Sequence, residues 1–547
     1  MTNDCDSRDI AIKSFFLGPQ SENAEWLRAK WMEILDNWIE WRCSRFPQDG
    51  ASISKVDRDS AAFLKSVDRL EAALAGVLKD LENETPKFTP RYIGHMVSEI
   101  SMPALLGHVC ALLHNPNNTS REVSRVTSRL EEEAIADLAG MLGFDADAKG
   151  HFTSGGTVAN FEALWRAIVR LDRTMTDQFG LSLLKLGPWT FAAEFERLMG
   201  RRFLGPVVLV PNNKHFSWEK AISLMGLGDE AFWPVALDDD GRLCPDDLRE
   251  RIETARRQHR PVAMVVSVAG TTEMGEVDPI GSVQDILDEY RQTGLDIWHH
   301  VDAAYGGYYT TLLDGGELEA KMSPRVAAGF RAIRRVDSVT LDPHKLGYVP
   351  YACGAFVARD ADHYRTRGFS AAYLKGSNDS RWALTLEGSR SGAGVTATWL
   401  ANKALGLDKN GYGRVLAKGI EAREMVLGEL DRRAPEFVVV LPADLNVLCF
   451  SLAPAGTKLS EINARTQELF QRFEQSPNFS VSKTVLSSRS YDRLLKRLAS
   501  ERKVELDADN WFMLRLVLMN PFITSKESKT KFVEEFVTEL LDFRSGK

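Results

Sequence analysis

The sequence predicts an α/β fold: a large domain on a mostly parallel sheet, a helical arm before it and a smaller α+β domain after it. Three observations predict this. The first 110 residues show helical patterns. Between about residues 130 and 410, short apolar runs alternate with stretches of helical period, as in strand–helix–strand units. Beyond about residue 430 the alternation changes character, and strand-like runs follow one another with single helices between them. A chain of 547 residues is too long for one ordinary domain. The changes of pattern divide it at 1–110, 111–430 and 431–547.

In the arm, residues 23–42 place Leu27, Trp31, Ile34, Leu35 and Trp38 on one helical stripe. Such an aromatic face needs a surface to cover, either the chain's own body or a partner subunit. Residues 45–60 are polar and rich in turn formers, and read as a linker to a second helix at about 60–82.

In the large domain the strand candidates are Val207–Val210, Ala263–Val268, Ile297–Val301, Val339–Leu341 and Gly354–Ala358. Between two of them, Ser282-Val283-Gln284-Asp285 resembles a capping box, with Ile286, Leu287 and Tyr290 apolar behind it and Gly294 as the stop. Residues 172–204 break the alternation and predict an inserted, mostly helical excursion. In the last domain Phe437–Leu441, Val447–Leu452 and Phe512–Leu518 read as strands, and Glu461–Phe473 as a helix.

Composition narrows the function classes. Hydrophobic residues make up 44% and charged residues 26%, the balance of a globular protein with a large core. No apolar run approaches the roughly 20 residues of a membrane span. Met1 to Arg8 is polar and acidic, unlike a secretory signal. The net charge of -8 has no basic stripe to offset it, which argues against a nucleic-acid partner. Six scattered cysteines without a CxxC pair suggest reduced thiols in the cytoplasm. The ten histidines show no metal-ligand spacing. His299 and His300 are adjacent but lie in a strand-like run, where neighbours face opposite ways.

Chemistry is concentrated just past the strand ends, where open α/β sheets carry their sites. Asp342-Pro343-His344-Lys345 follows one strand and His300-Val301-Asp302-Ala303-Ala304-Tyr305 closes another. A lysine and a buried carboxylate at strand ends are what pyridoxal phosphate needs. The amine holds the cofactor aldehyde as a Schiff base, and the carboxylate keeps the pyridine nitrogen protonated. Burial favours a neutral lysine amine, which suits that chemistry. Thr153-Ser154-Gly155-Gly156-Thr157 opens a helix with the apolar stripe Val158, Phe161, Leu164, Ile168 and Leu171. It fits either a phosphate site or an ordinary helix start. His215 follows the Val207–Val210 strand, and fits either an aromatic ring stack or a structural hydrogen bond. Thr271, in Gly270-Thr271-Thr272-Glu273, could bond a cofactor, orient Asp302 or simply close a turn.

Taken together, TSGGTVAN, KHFSW, GTTEMGEVDPI, HVDAAYGG and DPHKLGY resemble the group II pyridoxal-phosphate-dependent amino-acid decarboxylases of the aspartate-aminotransferase fold type (fold type I). The likeness extends to Pro90–Met96, Tyr373-Leu374-Lys375 and Leu386–Arg390, and covers roughly residues 15–525. Within the family the bacterial tyrosine decarboxylases are most similar. The resemblance implies a seven-stranded sheet in the large domain, a homodimer built through the arm, and decarboxylation of an amino acid to an amine and CO2. It makes Lys345 the cofactor lysine and Asp302 the pyridinium partner. His215 and Ala304 lie on the two ring faces, with Gly156, Thr157 and His344 at the phosphate and Thr271 beside the cofactor. Tyr373 becomes the proton donor of a closing loop. The implied substrate walls are His95, Met96, Ser98, Tyr305 and Tyr351. They include no evident arginine clamp, and Arg91 is the nearest arginine in sequence. Val97 stands where tyrosine-specific relatives carry asparagine. An aromatic L-amino acid is therefore the first expectation, glutamate or aspartate the second, and a carbon–carbon or carbon–sulfur lyase of the same fold the third.

Overall fold

The computed structural model describes residues 2–366 and 383–545. Seven strands form the large sheet: β1 (Lys149–Thr153), β2 (Val207–Pro211), β3 (Phe232–Val235), β4 (Val262–Val268), β5 (Trp298–Asp302), β6 (Ser338–Leu341) and β7 (Gly354–Ala358). Their spatial order is β1-β7-β6-β5-β4-β2-β3. The neighbours from β6 to β3 pair in parallel, whereas β7 runs antiparallel to both β6 and β1. The exception has a simple cause. Parallel neighbours need a crossover, usually a helix, and 342–353 is a helix-free loop that can only bring the chain back antiparallel.

Both faces of the sheet are covered. On one, Ala159, Ala163, Leu164 and Ile168 of helix Gly156–Phe179 meet Val208, Val210, Met264 and Val266. On the other, Val207, Leu209 and Val265 meet Leu248, Ile252, Val283 and Leu287. Alternate residues of β2 thus serve opposite layers, as the two-residue period of a strand requires. The helix stripe differs from the sequence expectation: small Ala159, Ala163 and Ala167 face the sheet, and Val158, Phe161 and Leu171 lie half-buried at its margin.

Other boundaries also differ. The helix at Ile280–Gln292 starts right after Pro279, so Ser282 lies inside it and caps nothing. The excursion begins as an extension of helix Gly156–Phe179 and continues as a helix at Leu183–Met199, kinked at Gly187-Pro188. Phe179, Phe191, Phe195 and Phe203 hold it together in a small cluster of their own.

The second sheet contains β8 (Phe437–Val439), β9 (Val447–Leu452), β10 (Ser482–Ser487) and β11 (Asn510–Val517), in the antiparallel order β10-β11-β9-β8. Helices Leu459–Gln475 and Phe532–Arg544 cover it with Leu469, Phe473, Phe536 and Leu540. Buried Asp444 ties this region to the large sheet's loops. It accepts from Arg242 at 2.9 Å, Arg325 at 2.8 Å and the Val277 amide at 2.9 Å. A buried carboxylate needs such partners, and three of them fix the approach of the two sheets.

The arm is helical at Ala24–Arg45 and Ala61–Leu81, and neither helix has a buried residue. Trp26 is 49% exposed, Trp31 39%, Trp41 48% and Leu74 55%. The stripe itself is half-buried at Leu27, Ile34, Leu35 and Trp38, so the chain's own body covers it only in part and leaves Trp31 and the flanking Trp26 and Trp41 open.

Candidate active site

The loops that leave β1, β2, β4, β5 and β6 meet at the carboxyl edge of the large sheet, around a cavity of about 330 Å³. Its lining brings together Gly156, Thr157, His215, Thr271, Asp302, Ala304, His344 and Lys345, residues spread over nearly two hundred positions of sequence. The topology explains the convergence: parallel strands all deliver their following residues to one edge.

Asp302 closes β5 and is buried. Its Oδ2 accepts from Asn160 Nδ2 at 2.8 Å and Trp218 Nε1 at 3.3 Å. Among the described residues its Oδ1 accepts only the Ala304 amide, at 3.3 Å. Asn160 stands on helix Gly156–Phe179 and Trp218 on helix Ser217–Leu224, so two helices of one layer orient a carboxylate of the sheet. Thr271 does not share in this. Its hydroxyl donates to Glu276 and accepts backbone amides of the 274–276 turn, the turn-closing alternative.

Lys345 lies in the loop after β6, with Nζ 2.9 Å from Asp342 Oδ2. Burial works against its charge. The carboxylates of Asp342 and Asp302 outweigh that and hold the amine above the ordinary lysine range. This corrects the expectation of a neutral lysine, which left out Asp342. The buried Asp342 has a second oxygen, Oδ1, with no hydrogen-bond partner. His344 Nε2 is 3.5 Å from Asp342 Oδ2, its Nδ1 accepts the Cys353 amide at 3.3 Å, and burial pushes its imidazole below the ordinary range. His215 is lowered for the same reason. Its Nδ1 accepts the Ser217 amide at 3.3 Å, and its ring lies 4.0 Å from that of Phe216.

Helix Gly156–Phe179 begins at the cavity, and no side chain caps it. A Cβ on Gly156 would lie 2.9 Å from Asp342 Oδ2 and 3.3 Å from the Ala304 Cβ, so a larger residue at the helix start would displace the Asp342 carboxylate. Uncapped N–H groups at a positive helix end suit an anion.

Of the expected substrate walls, Tyr305 lines the cavity and donates to Asn446 at 2.6 Å. His95, Met96 and Ser98 are held against the second sheet, because Ile93 bonds Ser480 and Val517 on either side. His95 Nδ1 accepts from Arg515, Met96 is buried in the main core, and Ser98 Oγ is buried without a partner. Tyr351 is 57% exposed and stacks on His344 with ring centroids 4.1 Å apart. None of these four lines the cavity. Arg91 points away, to Glu535 and the rings of Phe479 and Phe532. Tyr373 lies outside the described residues.

His299 and His300 do face opposite ways. His299 meets Ser267 and Gln284, and His300 meets Ser338 and Thr340. Among the described residues no group of three or more His, Cys, Asp or Glu could hold a metal. Nor is any helix there long and apolar enough to cross a membrane.

An uncapped helix start for a phosphate, an amine for an aldehyde and a buried carboxylate with a thinly occupied oxygen for a ring N–H surround one cavity. That donor set fits pyridoxal phosphate, and on this sheet it defines a pyridoxal-phosphate enzyme of fold type I. Residues 85–453 match the sequence profile described as the pyridoxal-dependent decarboxylase conserved domain, and the chain belongs to that family. An L-tyrosine decarboxylase of Enterococcus faecium is 28% identical over 94% of this chain and 96% of its own. One from Levilactobacillus brevis is 31% identical over 76% and 74%. An aspartate 1-decarboxylase of Aliivibrio fischeri is 27% identical over 82% and 79%. Among solved structures, mouse CSAD in apo form superposes with a TM-score of 0.67 at 20% identity, over 94% of this chain and 98% of that one. Oryza sativa TDC with PLP and tryptamine also gives 0.67, at 17% identity over 97% and 99%. These two likenesses show the fold. The protein is a pyridoxal-phosphate-dependent carboxy-lyase acting on an amino acid.

Proposed function

We propose that the enzyme converts an aromatic L-amino acid (tyrosine, phenylalanine or dopa) to its amine and CO2. The observation that carries this is the cavity wall: Phe216, Tyr305 and His215 contribute rings, and no arginine is among its described lining residues. An acidic side chain buried there would lack the guanidinium it needs. The tyrosine decarboxylases among the relatives support the same reading.

In this reading Lys345 would hold the cofactor through its aldehyde, with loss of water, and Asp302, steadied by Asn160 and Trp218, would keep the ring nitrogen protonated. Gly156, Thr157 and His344 would hold the phosphate, His215 and Ala304 would pack on the ring, and Thr271 would border it. Pyridoxal phosphate, when bound, would supply the electron sink that decarboxylation needs. Tyr373 would be the proton donor at the substrate Cα.

The acidic-substrate reading has one observation in its favour. Arg515 donates to the Thr272 carbonyl at 2.6 Å, at the cavity rim. It also bonds Ser482 and His95, which commits its guanidinium to the scaffold. CO2 release by cofactor-loaded protein distinguishes the two: kcat/KM for tyrosine, phenylalanine or dopa is expected to exceed that for glutamate and aspartate by about 10²-fold or more. Comparable values for the acids would sink the aromatic assignment.

We further propose a homodimer in the cytoplasm. The uncovered faces of helices Ala24–Arg45 and Ala61–Leu81 support the dimer, since apolar patches of this extent mark protein contacts. The five described cysteines are free, which suits a reducing compartment. Sedimentation equilibrium should give twice the chain mass, and Trp31→Glu combined with Leu74→Glu should shift it toward one. A wild-type monomer would rule the dimer out.

A further inference from the structure

The site contains two carboxylates, and their surroundings sort them. Asp302 is bonded by Asn160, Trp218 and the Ala304 amide. Asp342 is buried, has Lys345 Nζ 2.9 Å from Oδ2, and has no hydrogen bond on Oδ1. Its place is built into the fold: its backbone amide bonds the Ala304 carbonyl, its carbonyl accepts the Lys345 amide, and Gly156 leaves room for its side chain.

From this geometry we propose that Asp342 is a positioning residue for Lys345, holding the ε-amino group as an ammonium whenever the lysine is not joined to the cofactor. It thereby sets the pH at which the free lysine becomes a nucleophile. The inference rests on Lys345 being the cofactor lysine.

The groups that face Lys345 come from several elements. Asp302 at the end of β5 adds negative charge to that of Asp342. Tyr351, in the lysine's own loop, favours the ammonium only if its phenol ionises. His215 after β2 and His344 beside the lysine oppose it only when protonated, and burial keeps both imidazoles low. The start of helix Gly156–Phe179 opposes it with a partial positive charge. Among the described residues Asp342 is the one carboxylate paired with it, at 2.9 Å. Removing its charge should therefore release the amine at lower pH. Burial alone also depresses a lysine, so the two effects then add.

The test is pulsed amine labelling of full-length, cofactor-free protein across a pH series, with the Lys345 peptide quantified by mass spectrometry beside a model lysine peptide. In wild-type protein the Lys345 midpoint should lie above that of the model peptide. In Asp342→Asn it should fall by a unit or more, giving about tenfold faster labelling at a fixed pH below both midpoints. Asp342→Glu should stay near wild type. A wild-type midpoint at or below the model peptide overturns the proposal without any variant, and so do superimposable wild-type and Asn profiles. Borohydride reduction of cofactor-loaded wild type checks the underlying reading separately. A tag on Lys345 supports it, whereas a tag elsewhere refutes the cofactor assignment whatever the midpoint.

Discussion

Lys345→Ala is expected to remove the absorbance band of the covalently held cofactor and to lower amine formation by more than about 10³-fold. Lys345 is the only lysine in the described lining of the cavity, so no neighbouring amine can stand in for it. The substitution also strands Asp342, a buried carboxylate whose cation lies 2.9 Å away in the wild type. Breaking a buried pair from one side costs about 3–5 kcal/mol, so the variant should melt at lower temperature as well. Lys345→Arg separates the two effects. It keeps a cation for Asp342 and restores melting, yet remains unable to hold the aldehyde. Retention of the absorbance band, together with a borohydride-stable adduct in Lys345→Ala, would remove the central assignment.

What could be read from the sequence followed from contrast. β2 and β4 are apolar runs, β5 and β6 are short β-prone runs around Val301 and Val339, and each ends abruptly in residues able to do chemistry, so the strands and the groups they deliver were visible together. Three strands lacked that contrast. β1 is Lys-Gly-His-Phe-Thr, β3 holds Pro234 in the tolerated edge position, and β10 alternates buried and exposed residues around Ser, Lys and Thr. The shell around Asp302 was hidden for another reason. Asn160 and Trp218 lie 142 and 84 positions away, and only the layered packing of two helices on the sheet brings them to one oxygen. Asp342 was visible three residues from Lys345, but spacing says nothing of whether a loop turns two side chains toward each other. The 90–98 segment was legible only by family likeness: its backbone pairing with Val517 of the second sheet and the Arg515–His95 contact join residues more than 400 positions apart, which no local pattern shows.

The division of labour between the two carboxylates leads to a second large effect. Asp302→Asn preserves size, and the new amide oxygen can still accept from Asn160 and Trp218 at the Oδ2 position. Its NH2 then occupies the place of Oδ1, facing the Ala304 amide and the cavity. A donor there cannot accept a ring N–H, and the neutral side chain no longer balances a protonated ring. Electron withdrawal by the cofactor should therefore collapse while Lys345 still anchors it. The expected result is retained covalent absorbance with kcat lowered about 10²–10³-fold, the usual scale for losing one preorganised electrostatic contact. That pattern separates it from Lys345→Ala, which loses the anchor as well as the rate. If Asp302→Asn turned over substrate at the wild-type rate, ring protonation would have to come from another group, and Asp302 would revert to a structural carboxylate that pins helices Gly156–Phe179 and Ser217–Leu224 to the sheet.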